Sequence, residues 1–290
     1  PLIMGENWRG QSDRGAYGDV VEELDNSVGE ILNTLKRLQI HKKTFVIFTS
    51  DNGPAFFNPP FMLEAGESNF NERFNAGLKG SKGWVYEGGI RVPMVIRYPA
   101  ELKQNVINQE LSHFTDWLPT LASICGIEKI NDLPLDGYNI IDQLRGDKLK
   151  KPPRRFWQWN FYYPSIATNA AIRDGQWKLV QPMISGTRYY NNKDLHVAKE
   201  DTLRTAALIE ADIRHKEDPT LIDSILEVPH IKYPPPEAPE LYNIDKDPEE
   251  SFNVAEQNPV IVSKLINELY KWFEEVEFSR KSIDDPLHNN

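Results

Sequence analysis

Thr44-Phe45-Val46-Ile47-Phe48-Thr49-Ser50-Asp51-Asn52-Gly53-Pro54 is the stretch whose reading settles the fold class. It opens on an unbroken β-branched and aromatic run, the composition of a strand buried on both faces. It closes on residues that stop a strand and turn the chain. Just upstream, Tyr17, Val20, Val21, Leu24, Val28, Ile31, Leu32, Leu35 and Leu38 recur every three or four residues. That spacing predicts one amphipathic helix from Tyr17 to Leu38. Asp19, Glu22, Glu23 and Asp25 lie early in it and Lys36 and Arg37 late, as the helix dipole favours. A helix feeding a buried strand implies an α/β sheet, and ligands of such sheets gather at the carboxyl ends of strands. Asp51 and Asn52 stand at that end.

Further along, Gly88-Gly89 precedes a second strand expected from Ile90 to Arg97, with Pro93 marking an edge, a start or a bulge. Thr115 to Gly126 reads as a short helix with Pro119 in its first turn. A basic, Pro-containing run from Lys148 to Arg155 reads as a solvated linker. Beyond it, Phe156 to Tyr163 and Ala170 to Val180 are strand-like, the latter broken by an Arg173-Asp174-Gly175 hairpin signal. Residues 183–240 read as an insertion, with a charged helical stretch near Glu200 to Arg214. Glu240 to Ile244 predicts a strand, and Pro259 to Phe278 a helix with apolar positions at Val262, Leu265, Ile266, Leu269, Trp272, Phe273 and Val276.

The 290 residues carry 33 Lys+Arg against 43 Asp+Glu, a net charge of −10, which argues against a general nucleic-acid or anionic-membrane binder. No run approaches the roughly 18 apolar residues of a membrane span. A single Cys, Cys125, excludes an intrachain disulfide framework and any Cys-rich zinc site. Its apolar setting, Ser123-Ile124-Cys125-Gly126-Ile127, reads as that of a small buried hydrophobe. The opening Pro-Leu-Ile-Met-Gly-Glu-Asn-Trp has no initiator Met and reads as the middle of a loop, as expected of a piece of a longer protein.

Two segments carry candidate chemistry. The carboxylate of Asp51 and the amide oxygen of Asn52 could converge on a hard cation, Ca²⁺ ahead of Mg²⁺, or Asp-Asn-Gly-Pro could simply be a turn. Gly77-Leu78-Lys79-Gly80-Ser81-Lys82-Gly83 offers approachable backbone N–H groups and an ammonium, which suits phosphate or sulfate, though such loops are also commonly just solvated. The histidines, His41 and His113 among them, show no metal-binding spacing and read as structural. Trp157, Trp159, Tyr162, Tyr163, Tyr189 and Tyr190 could line a sugar or aryl subsite, or pack a core.

Taken in order, Phe48-Thr49-Ser50-Asp51-Asn52-Gly53-Pro54, Leu78-Lys79-Gly80-Ser81-Lys82-Gly83 and Tyr86-Glu87-Gly88-Gly89-Ile90-Arg91-Val92-Pro93 closely resemble the second half of the formylglycine-dependent sulfatases, especially the arylsulfatase type. Phe114 to Leu121, Leu135-Asp136-Gly137, Ala171 to Leu179 and Glu240 to Pro248 extend the resemblance downstream. It implies an alkaline-phosphatase-like three-layer α/β sandwich, truncated at its start, over residues 1–150. A smaller α+β subdomain is expected over 151–290, with a short antiparallel sheet, the insertion and the terminal helix. It further implies a sulfuric ester hydrolase in which Asp51 and Asn52 are calcium ligands and Lys82 is the catalytic residue contacting the substrate's sulfate. Glu87 and Arg91 are expected to be scaffold residues of their turn.

The family's nucleophile comes from a Cys-x-Pro-x-Arg motif that is absent here, so the formylglycine is expected only on upstream sequence. The resemblance implies a sulfated small molecule or glycan as partner, with no nucleic acid and no membrane, and an exported protein: periplasmic, extracellular or lysosomal. Two alternatives stay open. One is a phosphate-ester hydrolase of the same superfamily; the other is a non-catalytic half that binds sulfated glycan or an N-terminal partner chain.

Overall fold

The structure, a computed structural model, describes residues 4–56, 74–127, 135–147, 153–160, 164–184 and 235–282. The chain forms two units: residues 1–51, 62–69 and 93–152 in one, and 52–61, 70–92 and 153–290 in the other.

In the first unit the amphipathic stretch forms α1, Gly15–Arg37. The Asp19 carboxylate accepts the Gly10 and Ser12 N–H groups, each at 2.8 Å, and fastens the start of the helix to the preceding loop. These backbone donors, Ser12 foremost, hold the Asp19 carboxyl below its ordinary value. Tyr17, Val21, Leu24 and Ile31 on the apolar face remain exposed. Strand β1, Val46–Thr49, pairs antiparallel with β2, Met94–Arg97, in the register Val46↔Arg97 to Thr49↔Met94.

Two expectations change here. β1 is not buried on both faces, because among the described residues β2 is its only strand partner and Phe48 stays exposed. The second strand starts at Met94 rather than Ile90, for a reason found in the other unit.

Helix α3, Trp117–Ile124, carries Pro119 in its first turn, where a missing N–H costs nothing. Before it, His113 and Asp116 cap each other's backbone: the His113 N–H donates to Asp116 Oδ2 at 2.7 Å, and His113 Nδ1 accepts the Thr115 N–H. Helix α4, Ile141–Arg145, follows. Cys125 is exposed rather than buried, because α3 ends at Ile124 and Gly126, at φ 69°, turns the chain away.

The second unit is built on a four-stranded antiparallel sheet in the order β3 (Arg155–Gln158), β4 (Ala170–Asp174), β5 (Trp177–Gln181) and β6 (Glu240–Asn243). Alternation sends Ala170, Ile172, Leu179 and Leu241 to one face, against Leu265 and Leu269 of α5, Pro259–Ser282. Phe156 stacks on Trp272 there, with centroids 4.9 Å apart. Ala171, Val180 and Tyr242 face the other way and pack on Val85 and Tyr86, joined by Trp157, which is therefore a core residue. The hairpin turns at Gly175, with φ 60°.

The basic run is not a solvated linker at its end. Arg154 meets Glu268 at 3.1 Å and Asp174 at 3.5 Å, and Arg155 begins β3 almost wholly buried. These carboxylates give Arg154 an anchor that the sequence run alone does not show. Lys148 to Pro152, Tyr162, Tyr163, Tyr189, Tyr190, the 200–214 helical stretch and most of the 183–240 insertion lie outside the described residues.

Lys178 shares the face of Val180 and is fully buried. Its Nζ lies 2.9 Å from Glu87 Oε1 and 2.9 Å from Glu250 Oε1. Glu250 Oε2 also accepts the Glu87 N–H at 2.6 Å, at the start of the helical turn α2, Glu87–Ile90. This fastening winds Glu87–Ile90 into a turn and explains why the strand waits until Met94. Burial works to raise the Glu87 carboxyl, but the Lys178 charge and hydrogen bond, with Arg173 and Arg91 behind, bring it below its ordinary value. At Glu250 burial prevails over Lys178, and the carboxyl is raised.

Replacing the ammonium leaves two buried carboxylates uncompensated. Lys178→Met is therefore expected to cost about 3–5 kcal/mol at neutral pH in a urea melt. The depressed Glu87 contributes stability above the ordinary glutamate value of 4.5, and that contribution fades as pH falls through its folded pKa. In the variant both carboxyls are raised by burial, so its stability improves as pH falls toward 4.5. The gap between wild type and variant should thus narrow from pH 7 to pH 4; a gap that widens on acidification contradicts the assignment.

Candidate functional site

Asp51 follows β1 and is exposed, as expected of a group at a strand's carboxyl end. Asn52 opens the second unit, half-buried, with its amide Nδ2 donating to Gly53 O at 3.3 Å. From there the backbone is sewn to the glycine-rich loop. The Gly53 N–H donates to Gly89 O at 2.8 Å, and the Lys82 N–H donates to Pro54 O at 2.9 Å. The structure thus brings Asn52-Gly53-Pro54 and the Lys82 loop together inside one unit. A Cβ on Gly53 would sit 1.8 Å from Gly88 O, and one on Gly89 would sit 2.0 Å from Trp84 O, so the contact requires glycine at both places.

The loop closes on itself as well. The Gly88 N–H donates to Lys79 O at 2.7 Å, and the Trp84 N–H to Ser81 O at 3.0 Å. The Asn75 amide donates to Leu78 O at 2.7 Å and Gly80 O at 3.1 Å. A fully buried side chain grips it from the sheet: Asn169 Oδ1 accepts the Val85 N–H at 3.1 Å while Asn169 Nδ2 donates to Gly83 O at 2.9 Å. Lys82 itself is exposed at the surface of this fixed backbone. Glu87, expected as scaffold, is the loop's buried anchor, and Arg91 sits 3.8 Å from it.

Beside Lys82, the second lysine of the loop is committed to a polar cluster. Lys79 Nζ donates to Tyr242 Oη at 2.7 Å and Glu240 Oε2 at 3.2 Å, and lies 4.2 Å from the centre of the Tyr86 ring. Both phenols donate to the same Glu240 oxygen, Tyr86 at 2.6 Å and Tyr242 at 2.7 Å. Burial and the adjacent Glu240 carboxylate raise both phenols above their ordinary value. Burial opposes ionisation of Glu240, but the two phenol hydrogen bonds and Lys79 outweigh it and lower that carboxyl. An open cavity of about 510 Å³ adjoins this cluster, with Phe56, Asn75, Lys79, Ser81, Trp84 and Tyr86 in its wall.

Chemically, an exposed ammonium on a glycine-turned backbone has the charge and the donors to receive an anion. Among the described residues no three His, Cys, Asp or Glu side chains converge in a metal-binding group. Lys178, Glu250 and Asn169 went unnoticed in the sequence as parts of this region, because each acts across more than 80 residues and none carries a local signal.

The family model described as Sulfatase matches residues 4–127, and the one described as N-sulphoglucosamine sulphohydrolase, C-terminal, matches residues 80–211. The chain belongs to the sulfatase family. It is 34% identical over 178 residues to the N-acetylgalactosamine-6-sulfatase of Canis lupus familiaris, covering 61% of this chain and 31% of that one. To human arylsulfatase A it is 31% identical over 273 residues, covering 91% of this chain and 45% of the relative. A solved structure described with the metabolism of multiple glycosaminoglycans by Bacteroides thetaiotaomicron superposes with a TM-score of 0.60 at 27% identity, over 96% of this chain and 48% of that one. The sulfatase-family chain thus has the alkaline-phosphatase-like α/β fold and spans less than half the length of these relatives.

In this sulfatase-family loop the glycine contacts are open to a direct test. Gly53→Ala should cost about 1–3 kcal/mol, the usual penalty of forcing atoms into a filled space. It should also speed amide hydrogen exchange at Lys82 and Gly89 more than at Leu179 in the sheet. Uniform acceleration at all three amides would count against a local seam.

Proposed function

We propose that this chain supplies part of the active site of a sulfuric ester hydrolase acting on a sulfated carbohydrate or an aryl sulfate. The supporting observation is the seam that joins Asn52-Gly53-Pro54 to the backbone of Lys82 within one unit. The names of the relatives, N-acetylgalactosamine-6-sulfatase and arylsulfatase A, support the substrate class.

Lys82 contacts the sulfate. As the S–O bond to the leaving alcohol breaks, negative charge grows on the sulfuryl and ester oxygens, and a fixed ammonium stabilises that charge most when it is largest. The seam and the Asn169 grip hold the Lys82 backbone before substrate arrives, so little ordering remains at the moment of reaction. Asp51 and Asn52 are both hard oxygen donors and fit Ca²⁺ ahead of Mg²⁺; bound there, the ion polarises the sulfate as a Lewis acid. Ca²⁺ takes about six to eight oxygens, so these two share it with ligands from elsewhere in the complete protein. The formylglycine nucleophile likewise comes from outside these residues, since Cys125 lies in Ser-Ile-Cys-Gly-Ile rather than Cys-x-Pro-x-Arg.

The reading extends to place of action, an exported protein; no described helix is long and apolar enough to cross a membrane.

In the complete enzyme, Lys82→Ala should lower kcat/KM for an aryl sulfate by about 10²–10³-fold, the scale of losing one donor to a developing oxyanion. A loss below twofold refutes the role of Lys82. Faster turnover of the matching aryl phosphate assigns the site to phosphate esters instead. Chelation should abolish activity and Ca²⁺ restore it, whereas recovery with Zn²⁺ alone contradicts an oxygen donor set.

A further inference from the structure

Asn169 is fully buried at the entrance to β4, with a left-handed backbone at φ 50°. Asparagine is one of the few side-chain-bearing residues that tolerates this conformation. Its side chain is fully engaged. Oδ1 accepts the Val85 N–H at 3.1 Å, and Nδ2 donates to Gly83 O at 2.9 Å and Trp159 O at 2.7 Å. Its backbone N–H donates to Pro182 O at 3.3 Å, and its carbonyl accepts the Trp159 N–H at 3.2 Å, so the residue is itself held by two neighbouring strand ends.

The two atoms gripped in the loop, Gly83 O and Val85 N, bracket Trp84 and begin immediately after Lys82. On the other side of Lys82, its own N–H is tied to Pro54 O at 2.9 Å. Gly83 has φ 84°, a conformation that by itself does not fix the direction of the chain leaving Lys82. The Asn169 carboxamide therefore supplies the fixed reference for that direction, much as a bridging side chain orients a ligand residue it never replaces.

We propose that Asn169 is the positioning residue of Lys82: its carboxamide, spanning Gly83 O and Val85 N, aims the ammonium at the anion. The inference rests on the reading of Lys82 as the sulfate-contacting group. It differs from a purely structural role in predicting that anion affinity, rather than stability alone, depends on Asn169.

The test titrates inorganic sulfate into the full chain and follows the amide resonances of residues 79–85 by ¹H–¹⁵N NMR, alongside a urea melt. Wild type should show saturable shifts, and Lys82→Ala should lose them. Asn169→Ser, which keeps a small hydroxyl and a folded core, should bind sulfate on the order of tenfold more weakly, the effect of misplacing one charge-assisted contact. Asn169→Asp retains the acceptor for the Val85 N–H and loses the donor to Gly83 O, and serves if the serine variant does not fold. Its sulfate affinity should fall as well, with added acetamide giving no recovery in Lys82→Ala. A folded Asn169 variant with lowered melting midpoint and wild-type sulfate affinity, where Lys82→Ala is weakened, overturns the positioning role alone. Equal affinity in wild type and Lys82→Ala overturns the reading of Lys82 and this inference with it.

Discussion

One buried ammonium organises the second unit. Lys178 points from the middle of a strand into an interior where a lone charge could not persist, and two carboxylates meet it. One of them, Glu87, stands at the head of the turn that follows the glycine-rich loop; the other, Glu250, also holds the Glu87 backbone. A charge that cannot be left unpaired thus forces the loop to lie on the sheet. The apolar contacts of Val85 and Tyr86 with Ala171, Val180 and Tyr242 add area, but they would tolerate sliding. The charged contacts do not, because every displacement exposes a buried ion to an apolar wall.

Around that anchor the loop is fixed by backbone rather than by side-chain bulk. Gly53 and Gly89 allow strands of main chain to approach until carbonyls occupy the space where a Cβ would be. The result is a loop whose backbone is fastened at several points, with Lys82 exposed at its surface. Lys79, three residues earlier in the same loop, has its charge met by Glu240, the Tyr242 hydroxyl and the face of the Tyr86 ring, so it serves the architecture.

Much of this was legible in the sequence where the causes are local. The three-and-four spacing before Leu38 and after Pro259 gave α1 and α5, and Arg173-Asp174-Gly175 marked the hairpin, because periodicity and turn chemistry act within a few residues. Ile90 to Arg97 has the composition of a strand, but its first residues are bound into a turn through Glu87 and Glu250, a cause 163 residues distant. Lys178 in an alternating strand reads as a solvent-facing residue until its partners are known. Cys125 sits among apolar neighbours in sequence, yet the helix ends beside it. For the candidate site, Asp51, Asn52 and Lys82 could be singled out by residue type and order, whereas the side chains that hold their loop could not.

The long reach of these contacts also bears on how the protein comes into being on the ribosome. Val85 finds Asn169 only after 84 further residues have been made, and Glu87 finds Glu250 only after 163. At about 5–20 residues per second, the second interval lasts roughly 8–33 seconds. The loop has no clamp until Asn169 is made and no counter-charge until Lys178 is made, and for the rest of the interval Lys178 still lacks its second carboxylate. The glycine-rich loop is therefore among the last parts of the chain to take shape, and slow elongation or early release at the C-terminal sheet would leave a nascent protein whose α1 is formed and whose loop is not yet fastened.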